Sequence, residues 1–222
     1  MAEKNSAAGE SPALPRLCLT RFDSPLAPAW QAAQIAQLTR TERVRLARID
    51  RPLRREQFVV GHCMLRRVLA DAGHRDATIE VDAEGRVQLS ANVPLFASIA
   101  HSANAVAVVL AGLPVGVDLE SMRPLRDPRA AAAMLGLSAE GVESAESAES
   151  AESAEHRGSV LRAWVVAEAR VKAGPEALAQ VWWTRWERCQ LAVAGAANQP
   201  LTRVLDGITW IYNAVELEWE AA

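Results

Sequence analysis

The 222-residue sequence has almost no lysine: 22 of its 24 basic residues are arginine, and Lys4 and Lys172 are the exceptions. So strong an arginine habit reads first as a genomic bias, but it makes an internal lysine notable. Cysteine is sparse too. Cys18, Cys63 and Cys189 are odd in number and follow neither a Cys-x-x-Cys nor a Cys/His metal spacing. That excludes a disulfide scaffold and a zinc ribbon and points to reduced structural thiols in a cytoplasm. Long apolar runs are missing as well. Ala105–Leu110 and Leu113–Val117 are interrupted by Gly112 and Pro114, short of the ~20 apolar residues of a membrane helix. Met1–Pro15 carries Glu3, Lys4 and Glu10 and has no apolar core, so residues 1–15 read as a flexible leader rather than a secretory signal.

What is present is a chain 50% hydrophobic and 23% charged, which excludes disorder throughout and suits one packed domain or two small ones. The net charge of −3 is unevenly built. Glu143–Glu155, a repeat of Glu-Ser-Ala units without branched or aromatic residues, contributes five glutamates, and setting them aside gives −3 + 5 = +2. Such a tract cannot offset its ordering entropy by burial, so a low-complexity loop or solvated helix is expected over about 141–157. Positive charge gathers elsewhere, with nine arginines between Arg40 and Arg67.

Arg16–Phe22 alternates as a first strand, Ala29–Leu38 reads as a helix, and helical spacing runs from Leu38 to Leu69 with a break at Pro52. Thr78–Val81 and Val87–Leu89 flank Glu84-Gly85-Arg86 as a hairpin. Strands follow at Ala97–Ile99 running to Ser102, at Ala105–Leu110 and at Val115–Leu119. Arg129–Leu137 and Val160–Ala173 are helical, the second stopped by Gly174-Pro175, and the tryptophan-rich remainder is strand-rich.

Three carboxylates have predictable placement. Asp118 and Glu120 are two apart at the end of an apolar strand, so both face one side of the sheet. Glu120 could be merely solvated there, yet apolar neighbours hold the pair at a core edge. Glu168 shares a helix face with Trp164 and Lys172. Glu168 and Lys172 could form only a surface salt bridge, but Lys172 is the sole lysine outside the leader, and a compact ammonium suits phosphate. If Glu168 faces Asp118 and Glu120, three hard oxygen ligands of the kind Mg²⁺ takes converge. His101 ends a buried strand and could donate to phosphate or serve structure alone.

Three ordered blocks resemble those of the 4′-phosphopantetheinyl transferases, in the surfactin-type two-subdomain subgroup. Ser98-Ile99-Ala100-His101-Ser102 is similar to the Ser-His-Ser block, and Pro114-Val115-Gly116-Val117-Asp118-Leu119-Glu120 to the Gly-[Ile/Val]-Asp-[Ile/Val/Leu]-Glu block. Trp164-Val165-Val166-Ala167-Glu168-Ala169-Arg170-Val171-Lys172 is similar to the Trp-x-x-Lys-Glu-Ala-x-x-x-Lys helix. Weaker agreement at Glu42-Arg43, Arg55-x-x-Phe58, Leu65-Arg66, Gly85-Arg86 and Leu137-Ser138-Ala139-Glu140 extends it from about Leu38 to Lys172.

The resemblance implies an α+β fold of two similar α/β subdomains packed as a pseudo-dimer, residues 16–115 and 116–222, with the join near Val115-Gly116. It implies an enzyme of the holo-[acyl-carrier-protein] synthase type, cytoplasmic and monomeric. That enzyme moves the 4′-phosphopantetheine arm of coenzyme A to a serine of an acyl or peptidyl carrier protein and releases 3′,5′-ADP. In these terms Asp118, Glu120 and Glu168 hold Mg²⁺, and Glu168 also helps deprotonate the serine. Lys172 contacts phosphate and is catalytic with Glu168; His101, Arg45 and Arg86 bind coenzyme A, with Arg43 and Arg48 near Arg45 in register.

Two departures bear on activity: Ala100 stands where the family has serine, and Ala167 where it has the lysine before the glutamate. Arg170, three residues on, is the expected substitute cation. The continuation into Gly174-Pro175 is shorter than the family's loop, a region associated with carrier docking. A divergent member that binds coenzyme A or a carrier with little or no turnover is the second expectation. A basic nucleic-acid-binding protein is the third; Phe58 is the only aromatic interleaved among the Arg40–Arg67 arginines, which argues against it. No membrane or nucleic-acid partner is expected.

Overall fold

A computed structural model describes residues 15–122, 130, 133–135, 151–205, 212–214 and 217–222. Most of the expected Arg129–Leu137 helix, and residues 143–150 of the Glu-Ser-Ala tract, lie outside the described residues. In chain order the elements are β1 (Arg16–Arg21), α1 (Pro28–Ala36), α2 (Arg40–Ala47), α3 (Pro52–Asp71), β2 (Thr78–Val81), β3 (Val87–Ser90), β4 (Phe96–Ser102), β5 (Ala105–Ala111) and β6 (Gly116–Ser121). Then come α4 (Ala151–Ala173), β7 (Val181–Trp186), β8 (Cys189–Ala194), β9 (Leu201–Leu205), β10 (Tyr212–Ala214) and β11 (Glu220–Ala221). The fold is mixed α+β. α4 is longer than the expected Val160–Ala173, because its backbone begins inside the Glu-Ser-Ala tract.

Local chemistry explains the boundaries. Pro28 and Pro52 open α1 and α3, where a missing N–H costs nothing. α2 opens on a capping box: Thr39 accepts from the Glu42 amide while Glu42 accepts from the Thr39 amide. Gly73 and Gly174, at φ +87° and +82°, follow α3 and α4 as left-handed stops.

The strands form two main sheets, ordered β10-β9-β1-β5-β4 and β11-β7-β8-β6, with β2-β3 as a separate hairpin. Each main sheet holds an antiparallel triplet, β4-β5-β1 or β7-β8-β6, built from strand, helical segment, strand, strand. The two sheets meet over one apolar layer of Leu17, Leu19, Ala107 and Val109 against Val117, Leu119, Leu191 and Val193. The opposite face of the first sheet, with Cys18, Val106 and Val108, packs on Val60, Met64 and Leu65 of α3. The opposite face of the second, with Ala192 and Ala194, packs on Val165 and Ala169 of α4. β5 and β8 are thus covered on both faces, which is why β5 is an unbroken apolar run and β8 is apolar except at Gln190, rather than alternating. β9, from the far end of the chain, pairs in parallel with β1, so strands from both sides of Val115 share the first sheet. The three cysteines are free and buried, as expected of structural thiols, and no helix among the described residues is long and apolar enough to cross a membrane.

Gly116 sets the distance between α4 and β6. A Cβ there would overlap the Ala169 carbonyl oxygen and the Ala173 amide, both backbone groups that cannot swing aside. Gly116→Ala should therefore cost about 1–3 kcal/mol, the usual range for an overpacked site. Gly158→Ala, where an added Cβ meets nothing within 4 Å inside α4, should stabilise by up to about 1 kcal/mol. Urea-denaturation midpoints at unchanged m-value test both, and equal midpoints for Gly116→Ala and the parent would contradict the close approach.

Candidate functional site

A cleft of about 1120 Å³ opens where α3 and β4 face the end of α4. Arg54, Gln57, Phe58 and His62 line it from α3, Ile99 and His101 from β4, and Val171 to Glu176 from the end of α4 and beyond. The β2–β3 turn, with Glu84 to Arg86, and Arg45 of α2 close one end. Gly61 lets α3 sit directly on β4, for a Cβ there would press on Ile99 Cγ2 at 2.8 Å.

The cleft is basic because several cations converge on it. The Arg54 guanidinium is set against the His101 ring and also donates to Gln57 Oε1 at 3.0 Å. Burial, then the charges of Arg54 and Lys172, push His101 down to about 3, so the ring is neutral and can accept from Arg54. Burial and the neighbouring Arg45 and Arg51 make Arg54 less basic than an ordinary arginine. Arg45 rests on Gly85, whose φ of +90° favours glycine; a Cβ there would meet Arg45 Nη2 at 2.8 Å, the flexible end of a side chain that could shift. Arg86, next to it, is exposed and held by Asp82 at 3.0 Å and Glu84 at 3.5 Å.

Arg45 is held in place from below. Glu42, three residues earlier and fully buried, accepts from the Thr39 amide at 2.6 Å, from His62 Nδ1–H at 2.6 Å and from Arg66. Burial alone would raise its pKa, but these donors win and hold it at about 2. α2 is thereby pinned to α3 through a satisfied charge, with Arg45 one turn on. Several of the arginines between Arg40 and Arg67 are likewise used internally: Arg43 donates to the Leu38 carbonyl, Arg55 to those of Leu46 and Ile49, and Arg67 to Asp71.

The carboxylates sit behind this wall, where β4 and β6 run side by side. Ser102 Oγ donates to Glu120 Oε2 at 2.8 Å and accepts from the Ser121 amide at 2.9 Å. Asp118, 6% exposed, accepts from Lys172 Nζ at 2.6 Å through Oδ1. Its Oδ2 is buried with no hydrogen-bond partner. Burial raises the Asp118 carboxyl above its usual range, and Lys172 offsets part of that. Glu168 is half-buried on α4, one turn before Lys172.

Of the seven residues singled out from sequence, Arg45, Arg86, His101 and Lys172 line the one cleft. Asp118 joins them through Lys172, and Glu120 flanks it through Ser102. Lys172 pairs with Asp118, from α4 to the strand it covers, not with Glu168 along its own helix. Among the described residues no group of three or more His, Cys, Asp or Glu side chains is gathered tightly enough to hold a metal ion. The orphaned, buried Oδ2 of Asp118, with Glu120 on the same strand face, is nevertheless the kind of hard, acceptor-only oxygen that a Mg²⁺-sized ion takes. Arg170 is exposed and Ala167 half-buried, and neither lines the cleft. Ala100 is 1% exposed in the layer between the sheets, so its departure from serine lies in the core. Sequence reasoning missed Arg54 and Gln57. Arg54 lies one turn before Phe58 and Gln57 directly before it, but nothing in an arginine-rich stretch marks one arginine above another.

His101 gives the site a pH signature. The unfolded imidazole takes up a proton as pH falls below about 6.5, while the folded one stays neutral down to about 3, so stability drops as pH falls through that window. His101→Asn should flatten the stability curve between pH 6.5 and 4.5, above the range in which Glu42 titrates. Parallel curves for variant and parent, by urea denaturation at each pH, would contradict a buried neutral ring. No family model matches the chain, and no curated protein matches it at a significant level.

Proposed function

We propose that the chain is a Mg²⁺-dependent 4′-phosphopantetheinyl transferase of the two-subdomain type, acting on coenzyme A and a serine of an acyl or peptidyl carrier protein. The observation that carries this is a cationic wall lining one cleft and a buried carboxylate edge behind it, tied together by the Lys172–Asp118 pair. A volume of about 1120 Å³ exceeds the ~300–1,000 Å³ of ordinary small-molecule pockets and suits a ligand as long as coenzyme A. The repeated strand orders β4-β5-β1 and β7-β8-β6 support a pseudo-dimer of similar halves.

In this reading Arg45, Arg86, Arg54 and His101 bind the phosphates of coenzyme A, the neutral imidazole donating one ring N–H. Charge-assisted bonds from guanidinium groups match phosphate oxygens in pairs. The serine hydroxyl oxygen attacks the phosphorus that carries the pantetheine arm; a new P–O bond forms there, and the P–O bond to 3′,5′-ADP breaks. The serine proton passes to the Glu168 carboxylate, and the departing ADP carries away the negative charge. Lys172 meets that charge as it builds, which is where positioned cations contribute most to phosphoryl-type transfer. Mg²⁺ held at the Asp118–Glu120 edge would supply further neutralisation of the pyrophosphate.

A second reading, binding of coenzyme A or a carrier without efficient turnover, is favoured by one observation. Ala167 leaves no lysine before Glu168, and the exposed Arg170 lies outside the cleft lining. Mass spectrometry of apo carrier proteins incubated with the protein, coenzyme A and Mg²⁺ separates the two. The first reading expects a phosphopantetheine mass addition that EDTA abolishes and that Glu168→Gln lowers by orders of magnitude, with Arg170→Ala unchanged. Coenzyme A binding without any addition across several carriers supports the second, and a fully active Glu168→Gln would move the base elsewhere.

A further inference from the structure

Among the described residues, Asp118 Oδ2, Gln190 Oε1 and Trp183 Nε1 are buried side-chain polar atoms without a hydrogen-bond partner. All belong to the second sheet. Asp118 and Trp183 flank Ala192 in one cross-strand row, and Glu120 is directly opposite Gln190 in the next. Ala192 and Trp183 pack on Val165 and Ala169 of α4, so this is the helix-covered face. Directly paired residues have Cβ atoms ~4.5–5.5 Å apart, and residues two apart share a face. Gln190 is therefore the immediate neighbour of Glu120 and the diagonal neighbour of Asp118. It is 1% exposed, in a strand whose six positions are all buried.

A buried amide oxygen facing nothing is a costly arrangement that native folds avoid unless something occupies it. The three orphans differ in kind. Trp183 Nε1 is a donor, its ring covered by the Arg162 guanidinium at 3.8 Å from the centroid, and it cannot ligate a cation. Asp118 Oδ2 and Gln190 Oε1 are acceptors, and they bracket Glu120. Hard divalent cations take neutral amide oxygens beside carboxylates, which adds a ligand without adding repulsion between anions.

We propose that Gln190 is a further oxygen donor to the hydrated divalent cation at the Asp118–Glu120 edge. This rests on the cation-dependent transferase reading, and the test keeps the two apart. Mn²⁺ is titrated into the parent protein and into Gln190→Leu, Gln190→Glu and Asp118→Asn, with loss of the free-ion electron paramagnetic resonance signal as readout and no substrate present. Metal-free urea denaturation is measured alongside. Gln190→Leu should weaken Mn²⁺ binding roughly tenfold, as loss of a supporting ligand does. Its metal-free stability should be unchanged or higher, since no internal hydrogen bond is lost, and Gln190→Glu should hold Mn²⁺ at least as tightly as the parent. Unchanged Mn²⁺ affinity in Gln190→Leu, with binding lost in Asp118→Asn, removes Gln190 from the site and leaves the transferase reading intact. A metal-free destabilisation of Gln190→Leu would reveal an internal partner for Oε1 and overturn the proposal. Absence of Mn²⁺ uptake by the parent protein overturns the cation reading and this proposal with it.

Discussion

The site depends on the seam where the edge strand of one sheet meets the edge strand of the other. β4 and β6 belong to different sheets, and each would otherwise present unpaired backbone groups. Ser98 Oγ accepts from the Val117 amide at 3.1 Å and Ser102 Oγ from the Ser121 amide at 2.9 Å. Both pairs are spaced four residues apart, so the strands run in the same direction with their register fixed at two points. Ala100, between the serines, is small enough to let the sheets close over it. Because Ser102 also donates to Glu120, one hydroxyl fixes the register of β6 and the orientation of a carboxylate together. His101, between Ala100 and Ser102, takes the opposite face of β4 and reaches the cleft.

That seam brings opposite charges to a shared boundary. On one side, Arg54 and His101 are held close although burial penalises both as cations, and the histidine responds by staying neutral. On the other, Asp118 is buried and satisfied on one oxygen only. Lys172 spans the boundary. A lysine suits that place better than an arginine, because a compact ammonium on a flexible stem can leave a carboxylate for a phosphate without breaking a bidentate fork. A wall of cations arranged before any ligand arrives is preorganised for anions, since its repulsion is already met by the fold rather than at the moment of binding.

Much of this was legible in the sequence, and the limits have physical causes. The strands through Ser121, the β2–β3 hairpin and the α2–α3 break carried period, glycine and proline signals. Asp118 and Glu120 could be put on one face from spacing alone. The Lys172–Asp118 pair could not, because it links residues 54 apart through the approach of α4 to Gly116. Nor could the entry of β9 into the first sheet, a long-range parallel pairing without local signature. Gln190 escaped notice because a strand buried on both faces has no alternation against which one polar residue stands out. Arg54 was hidden by composition, one arginine among 22.

The two triplets, matched through their hairpins, explain why such a site occurs on one seam. Ser102 opposes Ala105 and Trp186 opposes Cys189, so counting along β5 and β8 sets Val106 beside Gln190 and Val108 beside Ala192. Cys18 pairs with Val108 and Asp118 with Ala192; Thr20 pairs with Val106 and Glu120 with Gln190. On the helix-covered face, Cys18, Thr20 and Val106 of one half thus correspond to Asp118, Glu120 and Gln190 of the other. Cys18 and Val106 join an apolar core under α3, Thr20 donates to the Arg21 carbonyl, and the edge of β1 is covered by β9. The second set supplies three oxygen-bearing side chains beside an edge that meets only β4. The corresponding edge in the first half is closed by backbone pairing with β9. Matching strand orders thus leave one seam, held by side-chain hydroxyls rather than a backbone ladder, where the carboxylates of the second sheet sit.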